Sequence, residues 1–481
     1  MASAGSFGRG GQVSVHTGTI DAMNILICGA GEVGRHSAEV LAGSGHSITI
    51  LDQSPTRLAE IDEAMDVRSM LGDCAQAEVL LKAGVDKADL LIAATNNDEV
   101  NLLSASVAKG VGCKTVIARV HRSGYYEDRG LSYAEHLGID HLVCPEFATA
   151  RAIAAALRSP GALAVENFAQ GMIEMQQIAV SESSKAVGVA LRELKAPGMS
   201  LIACIERPDR SFVPKADTVI KSGDLLTLIG EAKGIQQTSK FYNPAYAGKR
   251  RIMVMGGSTQ SVWLSRELRR VGASVRQFIE DEDRAIELAE KLDGITVINA
   301  DVINSDILQE ERVDQADAFV AATDDEETNI LGAALAKTRG AAMAVAVMQR
   351  PTYLHLIEHI GIDRAFSPRA TAVNEIIRLL DTRDLRQLAT LSRGVAELYE
   401  LHLGEDLAKG IVDKPLMEIE FPPHCLVAAL NRGDRVYIPG AQDKFEPGDV
   451  AIILGPAEVE KQLNKLFGFK HNKKSPVVAE V

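Results

Sequence analysis

The chain has 481 residues, 46% hydrophobic and 24% charged, with 51 basic against 65 acidic side chains and a formal charge of −14. At roughly 100–200 residues per domain this length implies three or four units, and the apolar fraction excludes a disordered chain. The acidic balance excludes a nucleic-acid partner, because a phosphate backbone attracts Lys- and Arg-rich faces and repels this one.

Residues 1–22 are rich in Gly and Ser, lack an apolar core segment and read as a flexible extension rather than a secretory or transit signal. From Asn24 the pattern is a short apolar strand to Cys28, a glycine cluster, and a helical stretch through Val33, Ala38 and Leu41 closed by Gly43 and Gly45. A strand at Ser47–Leu51 precedes a helix with Ser54 as N-cap and Pro55 at its first position. The alternation continues with strand Leu90–Ala94, helix Glu99–Val107, strand Thr115–Val120, helix Tyr133–Leu137 and strand His141–Cys144. Strands alternating with helices predict right-handed crossovers and a parallel, doubly wound sheet. The longest apolar runs, Leu90–Ala94 and Ala341–Met348, are far shorter than the roughly 18–20 residues of a membrane span. Six cysteines stand singly with no CxxC pair, which fits small buried hydrophobes in a reducing compartment rather than a zinc site.

The order of landmarks then repeats. Ala93-Ala94-Thr95 with Asn101 returns as Ala321-Ala322-Thr323 with Asn329, an offset of 228 that also takes Asp52 to Glu280, Asp73 to Asp301 and Arg122 to Arg350. Gly29 meets Gly256 at a step of 227. After each sheet comes an Ala-rich amphipathic helix, Phe147–Leu157 behind Pro145 and Ala370–Leu380 behind Pro368. Their apolar stripes suit either an ordinary core face or an interface. Strand-like segments follow in each copy: Ile178–Val180, Ser200–Ile205 and Leu225–Ile229, then Tyr399–His402, Cys425–Leu430 and Val450–Leu454. The expected fold is α/β, with two Rossmann-like doubly wound parallel sheets, each followed by a small α+β C-terminal domain. The expected limits are an extension at 1–22, sheet domains at 23–145 and 250–370, and small domains at 165–249 and 390–471.

Chemistry concentrates in the first copy. Gly29-Ala30-Gly31-Glu32-Val33-Gly34 is a complete GxGxxG between a strand and a helix. In such a motif Gly29 permits the tight turn, Gly31 lets backbone approach a pyrophosphate, and Gly34 lets helix and strand pack closely, while the helix start offers N–H groups and a favourable dipole. Asp52 ends the second strand, where a carboxylate accepts from ribose hydroxyls and repels a 2′-phosphate, favouring NAD(H) or an adenine nucleotide over NADP. Asp73 and Cys74 follow the third strand and Thr95 and Asn96 the fourth, at the carboxyl ends where such folds bind ligands. Arg119, a charge in an apolar strand, suits an ion pair with a helix carboxylate as well as a phosphate. The second cluster reads Gly256-Gly257-Ser258-Thr259-Gln260-Ser261, with two glycines replaced by serine. Ser258 is expected to crowd a pyrophosphate and Ser261 to loosen helix–strand contact, so Gly256, Gly257 and Glu280 mark a weaker or silent second site. His355-Leu356-Ile357-Glu358-His359 matches a zinc-peptidase HxxEH, but the first copy lacks it and no third ligand is evident.

CGAGEVG at 28–34 with Asp52, the stretch from Gly72 to Asn101, IARV at 117–120 and CPEFATARAIAAALRSPGALAV from Cys144 together resemble the potassium-conductance regulatory (RCK) domains of the TrkA type, over nearly the whole chain beyond residue 22. The resemblance implies no enzyme. It implies instead a cytoplasmic regulator, peripheral on the inner face of the membrane, with NAD(H) and ATP or ADP as ligands of the first sheet. The partner it implies is a membrane potassium-translocating subunit, beneath which the regulator self-associates as a gating ring, as a homotetramer. The competing expectation is an NAD-dependent oxidoreductase with duplicated sheets, although no His, Lys or Tyr cluster offers itself as a proton donor to a nicotinamide.

Overall fold

The computed structural model describes residues 22–127, 130–158, 165–168, 173–198, 200–244, 250–303, 305–349, 357–380, 384–391, 395–404, 411, 414–433, 435–456 and 459–469. Residues 1–21 of the expected extension, the landmark Arg350 and His355 lie outside them.

The first half opens with β1 (Asn24–Cys28), α1 (Glu32–Gly43), β2 (Ser47–Asp52), α2 (Pro55–Ala64), β3 (Arg68–Leu71), α3 (Ala77–Ala83), β4 (Leu90–Ala93), α4 (Asp98–Gly110), β5 (Thr115–Arg119), α5 (Ser123–Tyr126), α6 (Tyr133–Leu137), β6 (His141–Val143) and α7 (Pro145–Arg158). Its six strands are all parallel, in the order β3-β2-β1-β4-β5-β6, a doubly wound sheet that reverses between β1 and β4. Ile25 to Cys28 and Leu90 to Ala93 are buried throughout, the near-continuous apolar reading of strands covered on both faces. Ser54 accepts from the Arg57 amide and Pro55 opens α2, as the cap signals predict. Next come β7 (Val165–Phe168), β8 (Ile173–Ala179), β9 (Ser200–Glu206), β10 (Ser211–Phe212), β11 (Leu225–Glu231) and α8 (Ala232–Tyr242); the sheet is antiparallel, in the order β10-β9-β11-β8-β7.

The second half repeats this plan: β12 (Arg251–Met255), α9 (Thr259–Arg270), β13 (Ser274–Ile279), α10 (Glu282–Lys291), β14 (Thr296–Asn299), α11 (Ser305–Glu310), β15 (Ala318–Ala321), α12 (Glu326–Thr338), β16 (Ala344–Val347), α13 (Ile357–Ile360), β17 (Arg364–Phe366) and α14 (Pro368–Leu380). Its parallel order is β14-β13-β12-β15-β16-β17. Then β18 (Leu385–Leu391), β19 (Ala396–His402), β20 (Leu426–Arg432), β21 (Arg435–Tyr437), β22 (Val450–Gly455) and α15 (Glu460–Phe467) give an antiparallel sheet in the order β18-β19-β22-β20-β21. Among the described residues no helix is long and apolar enough to cross a membrane.

The Ala-rich helices are exchanged between the halves. Ala372 and Ile376 of α14 are buried among Ile27, Val33, Leu41 and Ile92 of the first sheet domain. Ala150, Ile153, Ala154 and Leu157 of α7 are buried among Val254, Trp263, Leu264 and Val320 of the second. Each stripe is therefore a core face and an interface at once, and each Ile or Leu buried there contributes roughly 1.5–3 kcal/mol. The two antiparallel sheets also share a core, with Met175 and Ile229 packed into one cluster with Leu398 and Ile452.

One expected correspondence shifts by a residue. Gly72 donates to the Asp52 carbonyl in the first half, and Ala300 donates to Ile279 in the second. Ser54 caps α2 where Asp281 caps α10, so Ile279 stands at the Asp52 position and Glu280 matches Gln53. The inserted residue lies between α10 and β14, where a connection absorbs it; a strand end held in a parallel ladder cannot.

Candidate functional site

The glycine turn between β1 and α1 is held by its own backbone. Gly29 has φ +106°, and a Cβ there would lie 2.8 Å from the Ala94 carbonyl oxygen. At Gly34 a Cβ would meet the Gly29 oxygen at 1.9 Å, so both positions exclude any side chain on packing grounds alone. Gly31 differs: its nearest neighbour would be Asn96 Oδ1 at 3.9 Å, which leaves open space in front of it. Gly31 is also the N-cap of α1 and supplies no side-chain cap, so the orphan N–H groups of the first turn face that space. Asp52 binds the turn directly, accepting from the Ala30 amide at 2.6 Å and the Ser54 amide at 2.8 Å. The first half therefore has an uncapped helix start, a position without a side chain and a carboxylate at the adjacent strand end, an arrangement able to receive a phosphate and a sugar hydroxyl.

The other expected residues lie around this turn in different roles. Asp73 shapes its own loop by accepting from the Ala75 amide at 2.9 Å. Cys74 is buried beneath the sheet with its thiol against that of Cys28, whose hydrogen bond lowers Cys74 to about 7, while the same contact together with burial raises Cys28 well above the usual range. The Thr95 hydroxyl donates to Asn101 Oδ1 at 2.7 Å, and Asn101 Nδ2 donates to the carbonyls of Thr95 and Arg119 at 3.0 and 2.9 Å. Asn329 makes the same bonds to Thr323 and Val347. The repeated sequence phrase is thus a brace joining two strand ends. Asn96 is exposed beside Gly31. Arg119 forms the ion pair, Nη2 lying 3.5 Å from Glu146 Oε1 at the start of α7.

Three side chains that sequence reasoning missed complete the surroundings. Buried Asp98 accepts from the His121 ring at 2.8 Å and from the amides of His121 and Arg122, and these bonds hold its carboxyl below the usual range against the opposing effect of burial. Glu146 stands 3.7 Å from the other His121 nitrogen. Arg369, from α14 of the second half, pairs with Glu32 in the glycine cluster. No local pattern signals that last contact, since 337 residues separate the partners.

The second turn keeps the fold but caps its helix start. Gly256 has φ +128° and faces Ala322 as Gly29 faces Ala94. Ser258 caps α9 by accepting from the Ser261 amide at 3.2 Å and donates its hydroxyl to the Ala322 carbonyl at 2.8 Å. Ser261 is fully buried and bonded to the Ser258 carbonyl, and Gln277 donates to the Gly256 oxygen at 2.8 Å, so the larger side chain is accommodated by local hydrogen bonds instead of loosening the helix. Arg284 Nε donates to the Gly257 carbonyl at 2.9 Å. A cleft of about 720 Å³ remains, bordered by Gly256, Gly257 and five carboxylates, Glu280, Asp281, Glu282, Asp301 and Asp324, against the one guanidinium of Arg284. Among the described residues no cluster of His, Cys, Asp and Glu is arranged to hold a metal.

A parallel 3-2-1-4-5-6 sheet with a glycine turn after its first strand, written twice and each time followed by a five-stranded antiparallel sheet, defines a tandem Rossmann-like protein. The TrkA-N domain model matches residues 25–145 and 252–368, and the TrkA-C domain model matches 175–243 and 407–468. The chain is 33% identical over 445 residues to the Trk system potassium uptake protein TrkA homolog of Archaeoglobus fulgidus, covering 92% of this chain and 100% of that one. It is 31% identical over 453 residues to Trk system potassium uptake protein TrkA of Haemophilus influenzae, covering 92% and 98%. The fold is similar to that of the GsuK channel bound to NAD, with a TM-score of 0.58 at 18% identity over 95% of this chain and 81% of that one. The chain belongs to the TrkA family.

Proposed function

We propose that the chain is the regulatory subunit of a Trk-type potassium transporter, a cytoplasmic protein peripheral on the inner face of the membrane. It binds NAD(H) or an adenine nucleotide and gates potassium uptake through a partner membrane subunit. Binding without chemistry is its task, and four copies form the ring that meets the pore. The relatives' names, Trk system potassium uptake protein, support the transport role. In this reading Gly29, Ala30, Gly31, Glu32, Val33 and Gly34 cradle the phosphates, Asp52 takes the ribose hydroxyls and Asp73 the adenine, with Cys74, Thr95, Asn96 and Arg119 forming the surrounding wall. Gly256, Gly257 and Glu280 border a second cleft of weaker affinity, because the Ser258 cap and the acidic rim both oppose a pyrophosphate. The domain limits given above serve as the functional units.

The observation that carries this reading is the open space at Gly31 before the uncapped start of α1. Titrating the purified full chain with NADH, ADP and ATP, alone and with the co-purified membrane subunit in detergent, tests it. Saturable binding and retention of the complex are expected. Failure to bind any of the three, or stoichiometric NADH oxidation with a small substrate, refutes it.

A further inference from the structure

Arg369 is the second residue of α14 and belongs to the second half, yet its guanidinium pairs with Glu32 inside the first glycine cluster. The Arg369 side chain is 13% exposed and Glu32 72%, so the pair joins an enclosed cation to a solvent-facing anion. Arg369 Nε is sealed from water without an acceptor. An enclosed cation beside the positive end of a helix dipole is unfavourable on its own, and here a single exposed carboxylate offsets it. A phosphate would do so better, because it accepts from a guanidinium through two parallel bonds and also favours the free N–H groups of α1. At the corresponding place on α7 the chain carries Glu146, an anion paired with Arg119 and His121. Glu146 thus pairs within its own half, whereas Arg369 carries its charge across to the other.

We propose that Arg369 is a phosphate-binding residue of the first site, supplied by the opposite half, and that it grips the free terminal phosphate of a nucleoside diphosphate or triphosphate while Glu32 is released to solvent. This rests on the nucleotide reading of the Gly29–Gly34 turn. A terminal phosphate ionises a second time at about pH 6 and presents three acceptor oxygens, whereas both phosphates of a dinucleotide are bridging esters of lower charge. Arg369 accordingly favours ADP and ATP over NADH.

Calorimetric titration of the full chain with ADP, NADH and adenosine tests the assignment. Arg369→Ala is expected to weaken ADP about tenfold or more and NADH by less than about threefold, leaving adenosine unaffected. Glu32→Gln, which removes the competing anion, is expected to tighten ADP. Unchanged ADP affinity in Arg369→Ala, or equal losses for ADP and NADH, overturns the proposal. Should Arg369→Ala fail to fold, Glu32→Gln decides alone, and unchanged or weaker ADP binding overturns it. A native chain that binds NADH while neither variant alters ADP binding rejects only this inference; one that binds neither nucleotide rejects the site reading as well.

Discussion

Gly31 and Gly34 share one motif but differ in function. A methyl group at Gly34 collides with the Gly29 oxygen at 1.9 Å, whereas one at Gly31 touches nothing closer than 3.9 Å. Gly34→Ala is therefore expected to cost at least about 3 kcal/mol in denaturant unfolding. Gly31→Ala is expected to unfold like the native chain while losing about tenfold or more in NADH affinity by titration. Equal stability losses in both variants would remove the reason for separating their roles. A second residue-scale effect lies at Glu375 on α14, whose Oε2 is buried without a partner. Burial pushes its carboxyl up to about 7 in spite of Arg151 and Arg378. The folded chain thus holds this proton more tightly than the unfolded chain, so its contribution to stability is full below about pH 4, falls as pH rises, and is gone above about pH 7. Glu375→Gln is expected to flatten that part of the melting-temperature profile between about pH 4 and 7 and to raise stability at the alkaline end, by at most about 3 kcal/mol. A parallel profile in the variant would place the titration elsewhere.

At the scale of elements, the exchange of α7 and α14 makes each sheet depend on residues far away in sequence. Ile376→Ala is expected to cost about 2–5 kcal/mol, and its loss of hydrogen-exchange protection should appear in β1 and α1, which it covers, as well as in α14. Protection lost only around β12 and α9 would contradict the exchange. This is also where the sequence was least informative. Strand and helix alternation, the Ser54-Pro55 helix start and the glycine turn are local signals, and the elements appear where those signals stand. An amphipathic stripe such as Ile153-Ala154-Leu157 states that a face is buried but not which sheet buries it, since both offer similar apolar surfaces. Likewise a constant offset detects duplication without locating an insertion. Ladder hydrogen bonds were needed to set Ile279, not Glu280, opposite Asp52. At the site, Gly31 and Asp52 were legible because their neighbours are close in sequence, and Arg369 was not because its partner lies in the other half.

For the whole molecule, shared cores imply shared unfolding. Both parallel sheets have one face completed by the opposite half, and the antiparallel sheets bury Met175 and Leu398 in a single cluster. Scanning calorimetry is expected to give one transition, with the emission of Trp263, the chain's one tryptophan, changing in step because its ring meets that of Phe147 of α7 edge to face, with centroids 4.6 Å apart. Two resolved transitions would show that the halves unfold separately. The reciprocal helix exchange has a further consequence in terms of mass action. Had the two modules been separate polypeptides, each would have to find its counterpart by diffusion, and the completed sheets would come apart on dilution. Joined in one chain, the counterpart is always present at a high effective concentration. The pairing then no longer reports how much protein the cell has made, and the two unlike clefts are produced in a strict one-to-one ratio in every molecule.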